Sequence, residues 1–246
     1  MSSPKLKSSA TSSQPEKLIV RRKKKATVRS VYSEAEREEM FRRFSVQRPE
    51  PKGELEHSNP FTLVVAVALS AQATDAGVNK ATRALFKVAD TPQKMLDLGE
   101  EKVRDYIKTI GLYRNKAKNV IALSRMLVDV FGGVVPQTRD ELVMLQGVGR
   151  KTANVVLSMA FGQATMAVDT HIFRVANRTK IAPGKNVDEV ERKLLKFVPK
   201  EFLHDAHHWL ILHGRYTCVA RKPKCWNCII NDLCEFKDKT PAPADA

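Results

Sequence analysis

Lys151 stands two residues beyond a Gly-Val-Gly turn, in "LQGVGRKTANVV" (145–156). A lysine amine in that position has three uses. It can be solvated at the surface, clamp a phosphate, or attack an electrophilic carbon. Asp169, in "MAVDTHIFRVANR" (166–178), is the second chemical candidate. A lysine that attacks carbon, with a carboxylate that steadies positive charge or moves protons, is a workable pair for imine chemistry. Asp-Thr ahead of "HIFRVANR" reads equally well as a helix cap. The third candidate is a cysteine set. Cys218, Cys225, Cys228 and Cys234 are the four cysteines of the chain, and all fall within 17 residues in a C-x6-C-x2-C-x5-C pattern. Ligand chemistry alone fits tetrahedral zinc or a [4Fe–4S] cluster. Paired disulfides suit a secreted chain, and this one has no secretory h-region.

The glycine turn narrows the choices for Lys151. A dinucleotide fingerprint needs a strand before G-x-G-x-x-G, and a P-loop needs four residues before Gly-Lys-Ser/Thr. "RDELVML" ahead of the turn is helical, and "GVGRKT" has neither spacing. What remains is helix, tight turn, helix. Gly147 and Gly149 permit unusual dihedrals and close backbone approach. The free amides at the start of the second helix then form an anion seat. On that helix the pattern expects an apolar face of Ala153, Val156, Leu157 and Ala160. Lys151, Asn154 and Ser158 lie on another side. A lysine there meets the positive end of the helix dipole, a setting that suits an amine nucleophile.

The elements that hold these groups read as helices throughout. Ser33 can cap "EAEREEMFRRF", whose Met40, Phe41 and Phe44 share a face. Ser58 or Asn59 before Pro60 marks the next start. "FTLVVAVAL" (61–69) is apolar but too short to span a membrane. Thr91 with Pro92, and Thr138 with Glu141, are further N-terminal signals. Gly132 and Gly133 stop a long helix whose apolar stripe is Val120, Leu123, Leu127 and Val130. Strand-like alternation is scarce, so the expected class is all-α.

The 246 residues carry a formal charge of +15. Residues 1–30 hold nine Lys or Arg and one Glu, a net of +8, so the remaining 216 carry +7. A basic protein is drawn to polyanions, of which nucleic acid is the commonest large one. Residues 1–30 read as a disordered basic extension, with "RRKKK" (21–25) as a DNA tether or nuclear signal.

Taken together, "LSAQATD" (69–75), "GLYRNKAKN" (111–119), "LQGVGRKTANVVL", "AVDTHIFRV", "IAPGKNV" (181–187), "HHWLILHGRYTC" (207–218) and the cysteine loop resemble the endonuclease III family. That family belongs to the helix-hairpin-helix glycosylase superfamily. The resemblance covers roughly Tyr32 to Lys239. It implies two helical domains flanking a DNA-binding cleft. One is a six-helix barrel with the helix-hairpin-helix, at 53–164. The other is a discontinuous iron–sulfur domain, at 31–52 and 165–246. It implies removal of oxidised pyrimidines from duplex DNA, with lyase (β-elimination) activity through a lysine Schiff base. Lys151 would be the nucleophile and Asp169 the catalytic aspartate. The four cysteines would bind a [4Fe–4S] cluster. Gln72 would enter the gap left by a flipped base, and Leu112 would part the stack. Gly147, Val148 and Gly149 would grip backbone phosphate, and Asp75 and His171 would lie near the active site. A lysine at 151 favours the bifunctional branch over the adenine glycosylases, which typically have none there. His57 departs from the Tyr common in relatives. The expected protein is a cytoplasmic, nucleoid-associated monomer that binds DNA carrying an oxidised pyrimidine or an abasic site, with no membrane association.

Overall fold

The computed structural model describes residues 31–51 and 53–244, so the basic extension and its "RRKKK" run lie outside the described residues. Eleven α-helices are present among them, and no strand is. In chain order they are α1 (Glu34–Gln47), α2 (Pro60–Leu69), α3 (Asp75–Val88), α4 (Pro92–Leu98), α5 (Glu100–Ile107), α6 (Tyr113–Phe131), α7 (Arg139–Leu142), α8 (Arg150–Phe161), α9 (Thr170–Arg178), α10 (Val187–Phe197) and α11 (Leu203–Tyr216). None is long and apolar enough to cross a membrane.

Local chemistry sets the helix starts. The Ser33 hydroxyl and the Glu36 carboxylate form a reciprocal capping box on α1. Asn59, rather than Ser58, caps α2 by accepting from the Thr62 amide at 2.9 Å, with Pro60 at the first helical position. Thr91 caps α4 in the same way ahead of Pro92. At α7 the expected box is half made. Thr138 accepts from the Glu141 amide, but the Glu141 carboxylate takes the Thr138 hydroxyl instead of its backbone N–H. Gly132 ends α6 in a left-handed conformation.

Two hydrophobic cores form. The first joins α2 through α8 around Leu63, Leu69, Leu85, Met95, Ile107, Leu123 and Leu127, all fully buried. The second gathers Met40, Phe41 and Phe44 of α1 with Met166, Ile172, Leu194 and Trp209. Residues far apart in the chain therefore share one core: α1 packs with α9, α10 and α11. The Trp209 indole donates to the Arg48 carbonyl at 2.8 Å, and Arg43 pairs with Asp232 through two hydrogen bonds. All of α2 except Pro60 at its start and Ala68 near its end is buried, as its apolar run requires.

Two expected faces differ from what forms. Val130 is 61% exposed, because the stripe on α6 continues from Leu127 to the half-buried Phe131 instead. On α8, Asn154 and Ser158 are buried, not solvated. Their side of the helix meets the second domain, where Asn154 Nδ2 donates to Glu191 Oε1 at 3.2 Å. Arg150 Nε donates to Glu191 Oε2 at 3.0 Å, and Arg139 approaches the same carboxylate at 3.5 Å. Glu191 thus pins the start of α8 to α10. Glu191→Ala leaves the buried Asn154 amide without its acceptor and Arg150 with the longer Asp188 contact alone, and should cost about 1–3 kcal/mol. A lower midpoint in chemical denaturation is the expected reading, and an unchanged midpoint would remove Glu191 from this role.

Candidate active site

A cleft of about 260 Å³ opens between the two cores. Its walls are apolar, from Leu55, Val67, Val155, Met159, Ile211 and Leu212, with polar groups from Gln72, Asp75, Lys151, His207, His208 and Arg215. Lys151 is exposed in the first turn of α8 and has no side-chain hydrogen bond or ion pair among the described residues. Its position follows from the tight turn before it. Gly147 has φ +81°, and a Cβ there would sit 3.0 Å from Asn119 Nδ2 of α6. Only glycine meets both demands. Gly149 then serves as N-cap in an extended conformation with no side-chain cap bond. The amides of Arg150, Lys151 and Thr152 are consequently left facing outward at the helix start.

The turn differs from the sequence reading at Val148. Its amide donates to the Leu145 carbonyl at 3.0 Å and its side chain is buried, so it is not among the free donors. Gly149 lies in open space, with nothing within 4 Å of where its Cβ would be. Gly149→Leu should therefore fold, yet block close approach of a phosphate to the α8 amides. DNA affinity is expected to fall about tenfold or more, irrespective of sequence. Fluorescence anisotropy at fixed salt would measure it, and normal affinity would exclude the turn as a backbone grip.

Gln72 and Leu112 occupy neighbouring turns, since a Cβ at Gly111 would lie 3.9 Å from the Gln72 carbonyl oxygen. Both are non-glycine residues with left-handed backbone, φ +56° and φ +59°. Leu112 is 60% exposed at the N-cap of α6. A large apolar side chain held out on a strained turn is a feature that functional sites retain.

Asp169 is the N-cap of α9, its Oδ1 accepting from the Ile172 amide at 2.8 Å. It does not line the cleft wall beside Lys151. The link between them is Arg215. α9 and α11 approach so closely that a Cβ at Gly214 would fall 2.9 Å from His171 Cβ. That contact brings Asp169 within electrostatic reach of Arg215, which does line the cleft. Arg215 Nη1 donates to Asp75 Oδ2 at 2.8 Å and also binds Glu54. Burial works against the guanidinium charge, but the Asp75 hydrogen bond and the charges of Asp75, Glu54 and Asp169 hold its pKa above the ordinary value. His171 faces Gly214 and Arg174 rather than the cleft.

Arg215, Glu54, His207 and His208 were absent from the sequence-based site. "HHWLILHGRY" was a signal for three of them: His207, His208, Ile211, Leu212 and Arg215 recur at three and four, and all five line the cleft.

The cysteine loop follows α11. All four thiols line one small pocket with Arg178, His213, Lys224 and Lys239. Among the described residues, no three His, Cys, Asp or Glu side chains are grouped as ligands of a single metal ion. Burial pushes the Cys228 thiol up to about 11 and raises Cys234 as well. Thiolates at Cys228 and Cys234 therefore need a positive partner to form. Arg178 borders the same pocket, with Nη1 3.5 Å from Cys218 Sγ and donating to the Val219 carbonyl at 2.7 Å.

Comparison with known proteins agrees with this geometry. Residues 65–200 match the HhH-GPD superfamily of base excision DNA repair proteins. Residues 218–234 match the iron–sulfur binding domain of endonuclease III. Endonuclease III of Escherichia coli K12 is 61% identical over 207 residues, covering 84% of this chain and 98% of that protein. Among solved structures, a trapped endonuclease III–DNA covalent intermediate aligns with TM-score 0.76 and 44% identity, covering 83% of this chain and 96% of that one. A non-covalent endonuclease III–DNA complex aligns with TM-score 0.74 and 46% identity, covering 79% and 92%. With a glycine-turn helical hairpin, a cleft between two helical domains and an iron–sulfur loop in one chain, the protein belongs to the endonuclease III family of the HhH-GPD superfamily.

Proposed function

We propose that Lys151 and Asp169 carry the chemistry of this base excision repair enzyme, a DNA glycosylase with AP lyase activity on oxidised pyrimidines. The carrying observation is Lys151 itself: an unpaired amine at a helix start, in a cleft scaled to a single base. A sugar carbon is inaccessible in stacked duplex DNA, so the damaged nucleotide must be everted, which costs less for a poorly stacked base. Leu112 parts the stack and Gln72 fills the gap. The α8 amides hold a neighbouring phosphate, and the net positive charge makes affinity salt-dependent.

The neutral Lys151 amine attacks C1′. The N-glycosidic bond breaks, and the base leaves with the bonding pair and takes up a proton. Nζ gives up one proton, the C1′–O4′ bond breaks with O4′ taking up a proton, and the opened sugar is held as a protonated Schiff base between Nζ and C1′. Asp169 carries the negative charge that steadies the cationic sugar. Abstraction of the C2′ proton then expels the 3′ phosphate by β-elimination, and hydrolysis frees Lys151.

The donor set of four cysteines on one pocket supports a [4Fe–4S] cluster held by Cys218, Cys225, Cys228 and Cys234. Such a cluster acts as a structural staple for a loop with little core of its own. Duplex DNA with an oxidised pyrimidine or abasic site is the partner, bound by one copy of the chain in the cytoplasm at the nucleoid. The test is a thymine glycol duplex incubated with enzyme and borohydride. Covalent trapping and strand cleavage are expected, and their absence would defeat the assignment.

A further inference from the structure

The carboxylates and the guanidinium at the cleft already have partners. Arg215 donates to both Asp75 and Glu54 across the cleft. His207 is different. Its ring borders the cavity, the residue is 4% exposed, and its Nδ1 is buried with no hydrogen-bond partner. Among the described residues, no group hydrogen-bonds the ring. Buried polar atoms in folded proteins are almost always satisfied, so a cavity-lining ring with no protein partner keeps hydrogen-bonding capacity for an occupant. Packing fixes the ring, which meets His208 edge-on at 5.2 Å between centroids.

We propose that His207 reads the everted base, offering its imidazole edge as a hydrogen-bonding partner to the ring-saturated pyrimidine while Lys151 attacks the sugar. The cavity is about 260 Å³, on the scale of one nucleobase and below the ~300–1,000 Å³ of sites for drug-sized ligands. The charges that act on His207 are those of His208, Lys151 and Arg215, all of which line the same cavity. Burial first, and then their charges, hold its pKa down to about 3. The ring is therefore neutral at physiological pH, with one donor and one acceptor nitrogen. That pair can serve both the carbonyls and the added hydroxyls of an oxidised pyrimidine. A site that hydrogen-bonds its substrate discriminates strongly against analogues lacking those groups.

This inference rests on the cavity beside Lys151 being the base pocket, and its test separates the two. Abasic DNA has no base to read but still needs Lys151. The experiment uses the full, cluster-loaded chain with two duplexes, one holding thymine glycol and one a preformed abasic site. Under single turnover, His207→Leu is expected to slow base release about 5–100-fold. Cleavage of the abasic duplex should stay within about twofold of wild type, because no base is present to lose its contact. His207→Gln keeps a donor and an acceptor and should recover most of the release rate. His207→Phe, which keeps the ring shape, should behave as His207→Leu and covers the case in which leucine does not fold. Equal losses on both duplexes would make His207 structural, and unchanged release in both apolar variants would overturn the proposal. Failure of the pocket reading itself would appear in wild type, as absent borohydride trapping.

Discussion

Lys151→Ala should abolish strand cleavage at abasic sites and borohydride trapping while leaving the protein folded. The side chain is exposed and makes no contact that holds the structure together. Alanine is also the best helix former, so the first turn of α8 loses nothing. The chemical loss is of another order. Without the amine no Schiff base can form, and no second group in the cleft replaces it: His207 and His208 are pushed towards neutrality by burial but carry no primary amine. Lyase activity should fall at least about 10³-fold, the scale seen when a covalent nucleophile is removed. Equilibrium DNA binding should persist, because the α8 amides and the Leu112 turn remain. A Lys151→Ala enzyme that traps at the normal rate would mean another amine is the nucleophile.

Asp169→Asn should have the second largest effect, and here structure and chemistry can be separated. Asp169 has two roles: its Oδ1 caps α9, and its charge lies within electrostatic reach of Arg215, which lines the cleft. Asparagine caps a helix about as well as aspartate, so the Ile172 amide keeps its acceptor and stability should change little. The negative charge is lost. Base release from a thymine glycol duplex should slow about 10²–10⁴-fold, with DNA affinity preserved. Asp169→Ala should lose the same chemistry and a further ~1 kcal/mol of stability with the cap. Unchanged single-turnover excision by Asp169→Asn would reduce Asp169 to a capping residue.

The local grammar of the fold was legible in the sequence. Ser33, Asn59, Thr91 and Gly132 act at helix ends as their chemistry dictates, and the run 61–69 becomes the buried α2. What a linear pattern cannot carry is which helices meet. The pairing of α1 with α9 to α11 joins segments more than 120 residues apart, and it entered only through the family resemblance. The same limit explains α8. Asn154 and Ser158 lie off the apolar face yet are buried, and Asn154 meets Glu191, 37 residues on. Arg215 and Asp75, 140 residues apart, meet only because the cleft brings them together. Val148 illustrates a smaller limit, because the turn that frees its neighbours' amides uses its own to close on Leu145. Composition and spacing made Lys151 available as a nucleophile, but its setting in a cleft with an unpartnered His207 is a property of the fold.

The most direct test of the central claim is where the enzyme becomes bonded to DNA. Wild-type protein is trapped with borohydride on a thymine glycol duplex, digested, and the nucleotide-bearing peptide is sequenced by mass spectrometry. The modification is expected on Lys151 alone. A modification on another lysine or on the chain's N-terminal amine, with Lys151 unmodified, would contradict the account.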